Sequence, residues 1–103
     1  MKIYNKLVRD KIPEIIAAGG GRCKTKTLQP VSYILELENK LTEEHDEYLL
    51  SHNVEELADL LEVIYAIAKI RGVSAAELDA IRERKAADRG RFDKKVFLLY
   101  AED

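Results

Sequence analysis

Apolar residues recur at helical spacing along two adjacent segments of this chain. Between residues 31 and 51 they are spaced by three, four and seven positions, as on the buried face of an amphipathic helix. The segment from residue 54 to residue 71 is apolar around most of its circumference, a pattern typical of a helix at the centre of a bundle. Only the polar residues 51–53 separate the two segments, and Asn53 with Glu56 has the spacing of a capping box that opens the second helix. So short a break predicts two antiparallel neighbouring helices.

Local start and stop signals predict two shorter helices, one on each side of this pair. Pro13 suits the first turn of a helix that begins near residues 10–11, where its missing N–H is not needed. Three consecutive glycines end that helix. Ser74 and Glu77 have the spacing of a capping box, which opens a helix that continues to about Arg89.

A small two-stranded β element, formed by residues 24–28 and 95–100, completes the expected fold. The second segment contains a compact run of apolar, β-favouring residues, and the first ends close to Pro30, as an edge strand can. The expected fold is therefore mainly α. It has an antiparallel helix-bundle core, a short N-terminal helix and this β element, in a single domain of residues 1–103.

Composition and charge narrow the class of protein. The 103 residues are 47% hydrophobic and 35% charged, which is typical of a globular domain. The formal net charge of −2 gives no electrostatic basis for binding a nucleic-acid polymer. The first residues lack the apolar region of a signal peptide, and no apolar run reaches transmembrane length. We therefore expect a cytoplasmic protein that does not use the membrane.

Five acidic residues flank the break between the two long helices, where the pattern predicts apolar contacts. At about 100° per residue, Glu44 falls inside the apolar stripe of the first helix, Glu47 at its edge and Glu43 further out. Glu56 and Asp59 start from a surface of the second helix that is otherwise apolar. Burying a carboxylate is costly unless something positive binds it.

The spacing of these acids predicts a metal site. Side chains at i and i+3 lie side by side on a helix, so Glu44 pairs with Glu47, and Glu56 with Asp59. In an antiparallel hairpin the two pairs face each other, and a hard divalent cation relieves their mutual repulsion. An all-oxygen site suits Mg²⁺ or Mn²⁺, which commonly also bind substrate phosphates. Taken singly, Glu56 is also explained as a helix cap, and Glu43 and Glu47 as solvated side chains.

Basic side chains near both ends of the chain are candidates for binding phosphate, because cationic groups stabilise a phosphoryl-transfer transition state. They are Lys6, Arg9, Lys11, Lys85 and Arg89. Lys85 and Arg89 are one helical turn apart and can act together. A solvated surface is the alternative explanation for all five. Lys40 is interpreted differently, as an i,i+4 partner of Glu36 on the outer side of its helix.

Three motifs together resemble one known family. They are Glu-Glu-x-x-Glu at residues 43–47 with Glu-x-x-Asp at residues 56–59, the opening NKLVRDKIP at residues 5–13, and KAADRGRF at residues 85–92. The acidic motif resembles the signature of the MazG-like all-α nucleoside triphosphate pyrophosphohydrolases. That superfamily includes phosphoribosyl-ATP pyrophosphohydrolase and the dimeric dUTPase and dCTPase relatives. Both ends resemble a small phosphoribosyl-ATP pyrophosphohydrolase-like subgroup, with Arg91 where a second glycine is common.

The resemblance implies a Mg²⁺-dependent hydrolase that cleaves a nucleoside triphosphate between the α- and β-phosphates, giving the monophosphate and pyrophosphate. It implies metal binding by Glu44, Glu47, Glu56 and Asp59, with Glu43 as an additional acid of the motif. Glu44 and Glu47 are the candidate catalytic residues, because one carboxylate must accept the proton of the attacking water. Which of the glutamates is that base stays open.

The resemblance also implies a helical core that pairs with a second subunit. A homodimer or a dimer of dimers would cover the central helix, which so short a chain leaves incompletely covered. Two other functions fit the sequence: phosphoribosyl-ATP hydrolysis in histidine synthesis, and a non-catalytic helical dimer that binds a metal or a nucleotide. The preferred base and sugar, and the number of metal ions, depend on contacts that only the fold creates.

Overall fold

The computed structural model of the protein describes residues 1–102 and is mainly helical, as predicted. The helices of this part of the chain are α1 (Ile12–Ala18), α2 (Pro30–Ser51), α3 (Val54–Ile70) and α4 (Ala75–Arg89). All four lie within one or two residues of the positions that periodicity and capping signals predict. Among the described residues, no helix combines the length and the apolar character that crossing a lipid bilayer requires.

The two-residue break between α2 and α3 is built from local backbone signals. Pro30 occupies the first turn of α2, where its fixed φ is already helical. His52 ends α2 in the left-handed conformation, with φ of 56°, and its N–H donates to the Tyr48 carbonyl at 2.7 Å. Asn53 then caps α3, because its side chain accepts a hydrogen bond from the Glu55 N–H at 3.0 Å. The chain therefore reverses direction within one turn.

The capping interactions correct one part of the prediction. The capping box that opens α4 is present in full: the Ser74 hydroxyl accepts from the Glu77 N–H, and the Glu77 carboxylate accepts from the Ser74 N–H. At α3 only the Asn53 side chain caps the helix, and the Glu56 carboxylate takes no part. Since that carboxylate is not used at the helix end, it is available to the acidic cluster.

The helices pack as a hairpin with one added helix. α2 packs along α3, and α4 packs against α3, whereas α1 does not pack against the other described helices. The hydrophobic side chains buried in the described part of the chain are Leu37 and Val63, 3% and 8% exposed. Leu57 and Leu61 on α3 are 43% and 46% exposed. Within one chain, the other helices therefore cover only part of the apolar surface of α3.

The predicted β element is absent from the described part of the chain. Residues 24–28 and 95–100 have no regular secondary structure there, and the side chains of residues 96–100 are exposed. An isolated two-stranded ribbon is marginal in water unless it packs against a further surface. No helix of the same chain provides that surface here. High β propensity in a short run was therefore insufficient to form strands.

Candidate metal centre

The α2–α3 hairpin brings the acids of both helices together, as their spacing predicts. Oxygen atoms of Glu43, Glu44 and Glu47 lie within 4.8 Å of one another, and so do oxygens of Glu44, Glu56 and Asp59. We call the first group the α2 triad and the second the cross-helix triad. Glu44 belongs to both. The chain reversal at the break therefore joins the two predicted pairs, together with Glu43, into one cluster of five carboxylates.

Glu44 is the buried centre of this cluster. It is 7% exposed, in agreement with its predicted position inside the apolar stripe of α2. Its Oε2 has no hydrogen-bond partner, and its Oε1 lies 3.8 Å from the Lys40 Nζ. Desolvation, with repulsion from the Glu47 carboxylate as the next cause, raises the pKa of Glu44 above its ordinary value. A buried, unpartnered carboxylate oxygen is a strong electrostatic attraction for a cation.

Glu56 is affected by the Glu47 carboxylate across the hairpin. Desolvation, with repulsion from Glu47 as the next cause, raises the pKa of Glu56 above its ordinary value. A divalent cation bound near the two carboxylates would relieve that repulsion. Both residues are half-buried, which leaves the pair accessible to solvent and to a substrate.

Cationic side chains neutralise the outer members of the cluster. Glu43 lies between two lysines, with Oε1 at 2.9 Å from the Lys6 Nζ and Oε2 at 3.2 Å from the Lys40 Nζ. The hydrogen bond from Lys6 is the largest of the effects that lower the pKa of Glu43. On the other side, Arg9 donates to Asp59 at 2.7 Å. Glu43 and Asp59 thus already have cationic partners.

Two of the five predicted phosphate-binding residues, Lys6 and Arg9, lie at the cluster. Lys11 is the residue that precedes α1, and Lys85 and Arg89 lie exposed on α4. None of these three forms an ion pair with a residue in the described part of the chain. The structure therefore brings the N-terminal cations to the acids and does not link the α4 cations to them.

Lys40 is the site residue that the sequence interpretation missed. It was expected to pair with Glu36 on the outer side of α2, but its ammonium lies between Glu43 and Glu44. Its side chain is only 17% exposed. The signal was present in the sequence, because Lys40 precedes these two glutamates by one helical turn. Only the folded structure shows that Lys40 contacts Glu43 and Glu44 and not Glu36.

The donor set fits a hard divalent cation. Every candidate ligand atom is a carboxylate oxygen, the donor type that Mg²⁺ and Mn²⁺ prefer. Glu44, whose Oε2 has no partner, belongs to both triads, so a cation bound to the cross-helix triad would contact ligands from both helices. Since the cluster is half-open, water and an anionic substrate can complete the coordination shell.

Comparisons with known proteins provide no family for this chain. No family model, no curated protein and no solved structure matches it.

Proposed function

We propose that this protein is a Mg²⁺-dependent nucleotide pyrophosphohydrolase of the MazG-like superfamily, which cleaves a nucleoside triphosphate to the monophosphate and pyrophosphate. The observation that carries the proposal is the position of Glu44, which is buried, has one oxygen without a partner and belongs to both acid triads. A helix hairpin gains nothing for stability by gathering four further acids around a buried carboxylate. Binding of a polyanion through a metal gives them a role.

The chemistry of the proposed reaction divides between the metal and the side chains. Mg²⁺, when bound, neutralises phosphate oxygens and activates water. Glu44, Glu47, Glu56 and Asp59 would hold it. One of the glutamates, with Glu44 and Glu47 as the candidates, would accept the proton of the attacking water. Lys40 would limit the repulsion between Glu44 and an incoming anion.

The test is a screen of pyrophosphate release. Canonical and modified nucleoside triphosphates and phosphoribosyl-ATP are each incubated with the protein, with and without Mg²⁺. We expect Mg²⁺-dependent release of pyrophosphate and monophosphate from at least one nucleoside triphosphate. Turnover of phosphoribosyl-ATP alone would identify the histidine-synthesis enzyme instead. Tight nucleotide binding without turnover at saturating Mg²⁺ would indicate the non-catalytic alternative.

A second copy of this chain is the proposed partner. The chain exposes 9514 Å², whereas a compact monomer of 11.7 kDa exposes about 5,900 Å². The excess of about 3,600 Å² is several times the roughly 800 Å² per partner of a standard interface. Much of it is apolar: Ile15, Val31, Leu35, Leu49, Leu57, Leu61 and residues 96–100 are all exposed.

The geometry of the hairpin leaves room for such a partner. A groove of about 550 Å³, lined by residues that include Leu41, Leu60 and Ile64, runs between α2 and α3. By helical periodicity it lies on the other flank of the hairpin from Glu43 and Glu47. A second copy can therefore cover apolar surface without closing the acidic cluster.

Light scattering with size-exclusion chromatography measures the expected mass. We expect a dimer or larger assembly of the 11.7 kDa chain, and we expect Leu61→Glu to weaken it, because a charge would be buried at the interface. Glu62→Gln changes the neighbouring exposed residue and should leave the mass unchanged. A wild-type protein that is monomeric at micromolar concentration would contradict the proposal.

A further inference from the structure

The N-terminal segment, residues 1–11, reaches the metal centre through two ion pairs. The Lys6 Nζ lies 2.9 Å from Glu43 Oε1, and the Arg9 Nη2 lies 2.7 Å from Asp59 Oδ1. The partners are 37 and 50 positions apart in the sequence, so these contacts are tertiary and not a property of one helix. The helix that follows the segment, α1, does not pack against the other described helices. Packing of α1 therefore does not hold the N-terminal segment in place at the metal centre.

Both ion pairs are readily exchangeable. The side chains of Lys6 and Arg9 are 42% and 56% exposed. Exposed pairs stabilise a protein only weakly, because water screens the charges and two long side chains lose conformational freedom. A competing ligand for either partner therefore needs little free energy to separate them. The relevant competitors are a cation for the carboxylate and an anion for the guanidinium or ammonium group.

Lys6 and Arg9 contact the outer carboxylates and do not reach Oε2 of Glu44 in the middle of the centre. Lys6 pairs with Glu43 of the α2 triad, and Arg9 pairs with Asp59 of the cross-helix triad. Glu44, which both triads share, keeps an oxygen without a partner. Arg9 occupies Oδ1 of Asp59, so a divalent cation that takes this oxygen competes with Arg9 for it.

We propose that Arg9, together with Lys6, exchanges its carboxylate partner for a phosphate group when the centre binds a divalent cation. A guanidinium forms the same paired hydrogen bonds with phosphate as with carboxylate. Once released from Asp59, Arg9 stays within reach of the centre and faces whatever anion the metal recruits. The inference rests on the proposed function for the identity of that anion, the phosphate chain of a nucleotide.

The exchange predicts positive coupling between the binding of the divalent cation and the binding of phosphate. The divalent cation frees Arg9 for phosphate, and phosphate draws Arg9 away from Asp59, so each ligand increases the affinity for the other. Removing the guanidinium should therefore have opposite effects on the two ligands. A residue that acted only through its charge would also shift the two affinities in this way, so the coupling is measured as well: repeating the Mn²⁺ titration at saturating pyrophosphate should show a smaller gain in Mn²⁺ affinity for Arg9→Gln than for the wild type.

The test uses Arg9→Gln and two titrations on the full chain. Calorimetry with Mn²⁺ alone should show about two- to five-fold tighter binding by the variant, because an exposed competing ion pair has been removed. Titration with inorganic pyrophosphate at saturating Mg²⁺ should show about ten-fold weaker binding, because a charge-assisted contact is lost. Both differences should shrink as salt is added. Arg9→Lys, which keeps the charge, should restore part of the pyrophosphate affinity.

Arg22→Gln is the matched control, since it makes the same substitution at an exposed residue between α1 and α2. It should change neither affinity. Unchanged or weaker Mn²⁺ binding in Arg9→Gln would overturn the exchange, and so would unchanged pyrophosphate binding. These outcomes are separate from the enzyme assignment. A wild-type protein without turnover that still shows the opposite shifts would refute the hydrolase and retain the exchange.

Discussion

Replacing Glu44 by glutamine is expected to stabilise the metal-free protein and to abolish its binding of divalent cations. The side chain of Glu44 is buried and one of its oxygens has no partner, so its charge is a cost to the fold in the absence of a metal. A neutral side chain of the same shape removes that cost. We expect the variant to gain about 1 kcal/mol in free energy of unfolding at neutral pH, measured by urea denaturation in EDTA.

The same substitution gives a pH dependence of known sign. The pKa of Glu44 is raised in the folded protein above its ordinary value of 4.5, so the native state binds more protons than the unfolded state in that range. The free energy of unfolding contributed by this group therefore falls as pH rises from about 4.5 through the raised pKa. The variant lacks this fall. Its advantage over the wild type should be absent below pH 4.5 and full above the raised pKa.

Mn²⁺ calorimetry completes the comparison. Glu44 belongs to both acid triads, so its loss removes a ligand from either, and we expect no measurable binding at millimolar Mn²⁺. Glu38→Gln is a suitable control, because it neutralises an exposed glutamate of the same helix that lies outside both triads. If Glu44→Gln destabilised the metal-free protein, or bound Mn²⁺ as the wild type does, the central role of Glu44 would be wrong.

Glu56→Ala is expected to abolish pyrophosphate release and to leave the helical fold intact. The substitution removes a member of the cross-helix triad. We expect a loss in kcat/KM of at least about 100-fold, the effect of removing one group that stabilises a transition state. The cap of α3 is retained, because Asn53 bonds the Glu55 N–H and not the Glu56 side chain. Circular dichroism should therefore show unchanged helicity.

Glu55→Ala separates this effect from a general loss of acidic charge. Glu55 is the exposed neighbour of Glu56 in the first turn of α3, and its backbone N–H, which the cap uses, remains in the variant. We expect near wild-type turnover for Glu55→Ala. Full activity of Glu56→Ala under the conditions of the screen would contradict the assignment of the cluster as the active centre.

Local sequence signals predicted the helices and the burial of Glu44 on α2, although Glu43, predicted to lie further out, is half-buried like Glu47. The position of Glu44 inside the apolar stripe correctly indicated a buried carboxylate, and Glu47 at the edge is half-buried. On α3 the same reasoning was less successful. The Asp59 side chain is 41% exposed, because an all-round apolar helix does not reveal which of its faces the chain itself will cover.

The prediction of strands failed for a related reason. Residues 95–100 have the composition of a strand, yet pairing requires a second segment and a surface beneath both. The predicted pairing with residues 24–28 joins segments about 70 residues apart, and closing so long a loop must be offset by contacts that the described chain does not make. Helices, by contrast, form bonds only to neighbours one turn away.

The sequence by itself determined much of the structure that depends on residues within one helical turn. This includes the four helices, the caps at Asn53 and Ser74, and the side-by-side spacing of the acids on each helix. Only the tertiary structure decided which cations compensate those acids. Lys40 could have paired toward Glu36 or toward Glu44, and Lys6 and Arg9 reach their partners across 37 and 50 positions. Such contacts follow from how separate elements meet in space, which periodicity along the chain does not encode.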